Sequence, residues 1–259
     1  MGQSRYERLP KSQNWRNVVA VLSSPKTSVA QVAGATAKAC RTALRRHSDD
    51  VVLVHAVYLL AHLPLAARQE KTQQFLAGAG IEPDALTSPT LLIDEVSAFL
   101  QRQNFNNSEP SFVTEIAQSA FQETLAKLMT ESNLDLFADE RGQTEKALAA
   151  NGTPRGFAKA ARLFFTSFFH RTLSYFLSKE TVNTLGKGER FDSPDSLQRF
   201  SGELQRYCWE SSEIIDSFAE EWFSKYKWQE KLDFEHFSNF TWATLKKFSA
   251  EIGREHEGA

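Results

Sequence analysis

Little in this chain is built for cross-linking. Its 259 residues include two cysteines, Cys40 and Cys208, far apart and in no CxxC or zinc-type spacing. That excludes a disulfide framework and fits free thiols in a reducing compartment. A chain of this length buries ~75% of the surface its unfolded form exposes, so it needs no staples. Long apolar runs are also missing. The longest, Val51 to Leu65, is interrupted by His55, His62 and Pro64, and falls short of the ~18 residues of a membrane span. The start, MGQSRYERLPKSQNW, is polar and has no signal-peptide h-region. A soluble, cytoplasmic protein that neither enters nor crosses a membrane is the expectation. Neither sign of charge dominates: 30 Lys+Arg stand against 32 Asp+Glu, a net −2.

The balance conceals a segregation. Residues 1–76 carry 11 basic and 4 acidic groups, whereas residues 77–151 carry 4 and 12. The basic segment can meet phosphate or an acidic partner, or the acidic segment of its own chain.

What the chain has is helical periodicity. Ser88-Pro89, Thr153-Pro154 and Ser193-Pro194 place a hydroxyl at an N-cap with proline at the first helical position. Ser28 and Gln31 read as a capping box. Apolar residues recur at three- and four-residue steps over 157–177, 194–226 and 234–252, and twenty phenylalanines fill much of those stripes. No segment alternates long enough for a strand. The reading is an all-α bundle of about ten helices: 13–23, 28–47, 49–64, 66–78, 89–103, 111–132, 143–151, 154–178, 194–229 and 234–255. An arm (1–12) precedes either one continuous domain or two packed lobes, 13–104 and 108–256.

Reaction chemistry is sparse. His55 and His62 share a helix face but sit ~10.5 Å apart along the axis, which suits packing rather than one metal. Arg41 and His47 loosely match the Arg-x4–6-His spacing of helical ribonucleases, in which an imidazole moves protons and an arginine holds phosphate charge. A solvated basic helix end gives the same pattern. His170-Arg171 sits mid-helix among phenylalanines and predicts an internal salt bridge. Gly186-Lys187-Gly188 lacks the strand and spacing of a phosphate-binding loop and reads as a helix stop with a turn. Glu210, Glu213, Asp216, Glu220 and Glu221 follow helical steps, as a hydrated face does. Tyr207, Trp209, Trp222, Phe223, Tyr226 and Trp228 are core candidates, with some available to a partner surface. No catalytic set, metal site or cofactor is expected.

The arm has one chemical feature. Removal of Met1 before a small residue leaves Gly2 at the terminus, with an unhindered α-amine of pKa ~7.7–8.0. Tyr6 at the sixth position excludes the myristoylation signal.

Gly2-Gln3-Ser4, Leu9 to Trp15, Tyr175 to Glu180, Leu185 to Phe191, Tyr207 to Glu210 and Trp222 to Lys225 resemble a family of helical bacterial proteins from defence-type gene clusters. More loosely, the first fifteen residues and about 110–226 are similar to the QatB subunits of Qat antiphage systems. Such clusters also encode an ATPase, a TatD-like nuclease and a QueC-like enzyme that adenylates a carboxy-deazaguanine and transfers it to an amine. The resemblance implies a non-enzymatic scaffold with Gly2 as that amine. It also implies contacts to the QueC-like enzyme and other defence-operon proteins at Ser4, Tyr6, Trp15, Lys187 and Arg190. The chain departs from QatB in lacking a long proline-rich segment after the arm, which here reaches ~33 Å at most. Two rival roles stand beside this one: a nucleic-acid-binding protein using the basic 1–76 segment, and a helical ribonuclease.

Overall fold

Most of the described helices begin where a short polar side chain satisfies an orphan N–H; Thr72–Ala79 and Glu213–Trp228 have no such cap. A computed structural model describes residues 12–107, 111–130, 139–186 and 190–254. In it Ser12 caps α1 (Gln13–Ser23), and Ser28 and Gln31 form the capping box of α2 (Val29–Arg46). Asp50 Oδ1 accepts from Val52 N and Leu53 N, both at 3.0 Å, to start α3 (Val51–Arg68). Next come α4 (Thr72–Ala79), α5 (Pro89–Asn107), α6 (Phe112–Thr130) and α7 (Glu140–Ala150). Thr153 Oγ1 accepts from Gly156 N at 2.9 Å and starts α8 (Pro154–Thr181). A Ser193 capping box starts α9 (Pro194–Ser211), followed by α10 (Glu213–Trp228) and α11 (Phe234–Arg254). Two 3-10 turns, Pro83–Thr87 and Val182–Thr184, and one isolated bridge between Leu185 and Phe191 complete the described residues, which hold no strand. The fold is an all-α multi-helix bundle.

Several boundaries differ from the sequence reading: the expected helices 66–78, 89–103 and 143–151 are Thr72–Ala79, Pro89–Asn107 and Glu140–Ala150. Helix α3 runs through Pro64 to Arg68, although an interior proline costs about 3 kcal/mol. Packing on α5, α6, α7 and α11 offsets this. The helix then stops at Glu70, which takes a left-handed φ of 58° while Lys71 N donates to Ala66 O. That is a glycine-type ending without a glycine. The segment 194–229 is two helices, broken at Ser212. Its second half ends the same way as α3, at Glu230 with φ 55°.

Helix α8 is the strut of the bundle. Phe157, Phe164, Phe165, Phe168, Phe169 and Phe176 along it are all fully buried, each worth roughly 1.5–3 kcal/mol of transfer free energy. Around it pack α2, α3, α6, α9 and α10. Helix α11 closes the bundle by returning to α2 and α3. Phe248 of α11 meets Phe169 edge-on at 4.4 Å. One continuous apolar core reaches from Trp15 to Ile252. Helix α3 is long and apolar enough to cross a membrane by composition, but 67% of it is buried inside this core.

The turn between α7 and α8 touches α3 without clearance. A Cβ on Gly152 would lie 2.4 Å from the Pro64 carbonyl oxygen and 2.8 Å from Arg68 Cβ. Gly78 in α4 has open space around it. Gly152→Ala is therefore expected to destabilise the fold by roughly 1–3 kcal/mol. Gly78→Ala should stabilise it by about 0.5–1 kcal/mol through helix propensity. Urea denaturation of both variants checks the opposite signs.

Candidate functional site

Three of the sequence stretches singled out above converge at the foot of the arm. Trp15, in the first turn of α1, is 6% exposed and lies 6.3 Å from the ring of Phe176 on α8. Its indole N–H donates to Glu180 Oε1 at 3.3 Å. The Leu185–Phe191 stretch closes on itself: Gly186 N donates to Phe191 O at 2.9 Å, and Phe191 N to Thr184 O at 3.1 Å. Arg190 leaves this loop and donates to the carbonyls of Ser24 at 2.7 Å and Thr27 at 2.8 Å, where α1 turns into α2. Burial lowers the Arg190 guanidinium from its ordinary pKa, while Glu203 counters this. Its plane lies 5.2 Å from the Phe200 ring centroid. Trp15 and Arg190, expected at a partner surface, are thus engaged within the chain and clasp α1 to the end of α8. Gly2, Ser4, Tyr6 and Lys187 lie outside the described residues.

A second site was not legible in the sequence. A cleft of about 770 Å³ opens between α8 and the α9–α10 bend, lined by Arg155, Lys159, Arg162, Trp209, Asp216 and Glu220 among others. Arg162 organises its wall. Its Nε donates to Ser212 Oγ at 3.0 Å, Nη1 to Asp216 Oδ2 at 2.5 Å and Nη2 to Trp209 O at 3.2 Å. The guanidinium also lies 4.1 Å from the centre of the half-exposed Trp209 ring. One arginine so holds the carbonyl end of α9, the first turn of α10 and the bend between them. On the far side of Trp209 a smaller cleft of about 430 Å³ is lined by Glu123, Lys127, Thr166 and Arg206. Thr166 Oγ1 is buried there without a hydrogen-bond partner among the described residues.

Beside this cleft Glu123 of α6 ties α8 in place. Its Oε1 accepts from Lys127 Nζ at 2.7 Å, and its Oε2 from Ser167 Oγ at 2.5 Å and Arg171 Nη2 at 3.1 Å. Arg171 therefore makes the internal salt bridge that its mid-helix position predicts. Burial raises the Glu123 carboxyl, but these hydrogen bonds and the Lys127 charge outweigh it and bring the pKa down to about 2.

The remaining candidates are divided between the core and the surface. His55 Nδ1 pairs with Val51 O at 2.7 Å, and His62 Nε2 with Leu232 O at 2.9 Å. Both rings sit among Tyr58, Phe75, Phe99, Phe234 or Phe237. Burial lowers the pKa of each against these bonds. His47 lies edge-on to Phe112 at 5.7 Å, whereas Arg41 lines a groove between α2 and α11. The two have different neighbours. Cys40 and Cys208 are buried free thiols, with burial pushing Cys208 up to about 12. Of the late aromatics, Tyr207 and Phe223 are buried, while Trp209 and Trp228 are exposed. Among the described residues no three His, Cys, Asp or Glu side chains are grouped to hold a metal ion.

Arg162→Ala should destabilise the fold by about 2–3 kcal/mol, since an ion pair and a carbonyl contact are lost together. Arg162→Lys should recover less than half, because one ammonium cannot reach three diverging acceptors. Thermal melts distinguish the two. Glu123 sets an acid limit. Its folded pKa lies below the unfolded value of ~4.3, so its contribution is complete above about pH 5 and disappears as pH falls toward 2. The stability gap between wild type and Glu123→Gln should narrow over that window when urea midpoints are followed against pH.

No protein-family model, curated protein or solved structure matches the chain; its motifs, its residues and their geometry are the basis for assigning a role.

Proposed function

We propose that this protein is a cytoplasmic, non-enzymatic helical adaptor of a bacterial antiphage complex. Its N-terminal segment is engaged by a QueC-like deazaguanine enzyme, with Gly2 as the acceptor amine. The observation that carries this reading is the clasp at the foot of the arm. Trp15 is buried against Phe176 and bonded to Glu180, and Arg190 grips the carbonyls of Ser24 and Thr27 between α1 and α2. A buried tryptophan and an arginine on the carbonyls of Ser24 and Thr27 fix α1 against the end of α8, so the start of α1 has a defined place on the bundle. The chemistry is acyl transfer. ATP activates the deazaguanine carboxylate as an acyl adenylate with release of pyrophosphate. The unprotonated α-amine of Gly2 attacks the acyl carbon, AMP leaves, the ammonium proton passes to solvent, and an amide remains.

The resemblance supplies the partner class, and the clasp supports a scaffold. When the chain is co-expressed with its genomic neighbours, intact-mass analysis should find Met1 removed and an added deazaguanine acyl group on Gly2. Gly2→Val should suppress the adduct by hindering the amine. Wild-type protein showing loss of Met1 and no added mass would remove the modification from the proposal.

A further inference from the structure

Helix α2 carries no acidic residue, and its outward face presents Lys38, Arg41 and Arg45. None of the three makes an ion pair among the described residues, and neither does Lys246 on the adjacent face of α11. Between them runs a groove of about 340 Å³, lined by Arg41, Leu44, Arg45, Trp242, Leu245 and Lys246 among others. Its floor is apolar, with Leu44 and Leu245 almost fully buried, while Trp242 stays 38% exposed on the wall. Arg162 covers Trp209, but no described ring or cation covers Trp242 and no described acceptor takes its indole N–H.

This combination selects its occupant. Bare tryptophan over buried leucines offers a seat for aliphatic side chains, and the cations on both rims demand carboxylates. From Trp242 to Ala250 the α11 wall is about 12 Å long, roughly two turns of an opposed helix. Such a helix would place leucines at i and i+4 on the floor and glutamates beside Arg41, Arg45 and Lys246. A nucleic-acid strand fits less well. It calls for a run of aromatics on which successive bases stack, and the groove has one tryptophan and a largely hydrocarbon floor. No carboxylate lines the groove among the described residues, and Glu251 of α11 already makes an interaction.

We infer that the α2–α11 groove is a docking site for an acidic amphipathic helix of a partner protein, held by Arg41, Arg45 and Lys246 around Trp242. The inference rests on the adaptor reading but not on Gly2: loss of the adduct leaves the groove intact, and an empty groove leaves the adduct intact.

Fluorescence anisotropy of labelled probes on the full chain tests it. The probes are a helical peptide of about four turns with a leucine stripe flanked by glutamates, the same peptide with lysine for every glutamate, and a single-stranded oligonucleotide of similar length. The acidic peptide should bind and the lysine peptide should not. The double variant Arg41→Glu/Arg45→Glu, and separately Trp242→Ala, should weaken binding at least about tenfold. Lys231→Glu, at the remote α10–α11 turn, should leave it unchanged. Circular dichroism melts confirm that each variant is folded. Failure of the acidic peptide to bind wild type, equal binding by the groove variants, or displacement of the peptide by the oligonucleotide would overturn the inference. So would a wild-type dimer that Arg41→Glu/Arg45→Glu dissolves, because the groove would then belong to a second copy of the chain.

Discussion

The bundle depends on burying α8 on nearly all sides. A helix that is apolar around most of its circumference cannot form a stable outer layer, so its neighbours must enclose it. Six phenylalanines over five and a half turns set how closely they approach. Their edge-to-face and offset contacts, such as Phe169 with Phe248 and Phe157 with Phe223 at 4.9 Å, fix direction as well as area. Helix α3 performs the same task for α5, α6, α7 and α11. The tolerance of Pro64 inside α3 follows: one missing hydrogen bond is small beside the apolar area that a helix break would expose.

Two arginines do work that glycine and capping side chains do elsewhere. Arg162 collects the end of α9 and the start of α10, and Arg190 collects the end of α1. Each bonds backbone carbonyls at or just beyond a helix end, Arg162 that of Trp209 and Arg190 those of Ser24 and Thr27, and each does so from a distant part of the chain. This redistributes the charge. Both cations are used within the fold, whereas Lys38, Arg41 and Arg45 of α2 and Lys246 of α11 make no ion pair among the described residues.

The helical class, the capped starts at Ser28, Ser88, Thr153 and Ser193, and the packing role of His55 and His62 were legible in the sequence. Caps and periodicity are local, so spacing exposes them. The helix ends at Glu70 and Glu230 were not, because a left-handed residue is read from glycine and these are glutamates. The break at Ser212 was hidden for a different reason: apolar stripes on α9 and α10 keep a common helical phase, and the arginine that bends them lies 50 residues upstream. The same non-locality hid the Arg162–Trp209 cleft and the partners of Trp15 and Arg190 within the chain. A residue type reveals what a side chain can do, while its partner, supplied from another helix, decides whether it does so inside or outside.

The tryptophans make that point for function. Trp15 is consumed by Phe176 and Glu180, and Trp222 by Phe237 and Phe240. Trp209 is half-open but already carries an arginine on its face. Trp228 is 85% exposed at the end of α10. It stands at a helix terminus, whereas Trp242 stands in a lined groove with unpaired cations on either side. Exposure alone does not make an anchor. A recognition residue needs an apolar floor to exclude water and charges that a partner can neutralise, and among the exposed tryptophans it is Trp242 whose surroundings supply both.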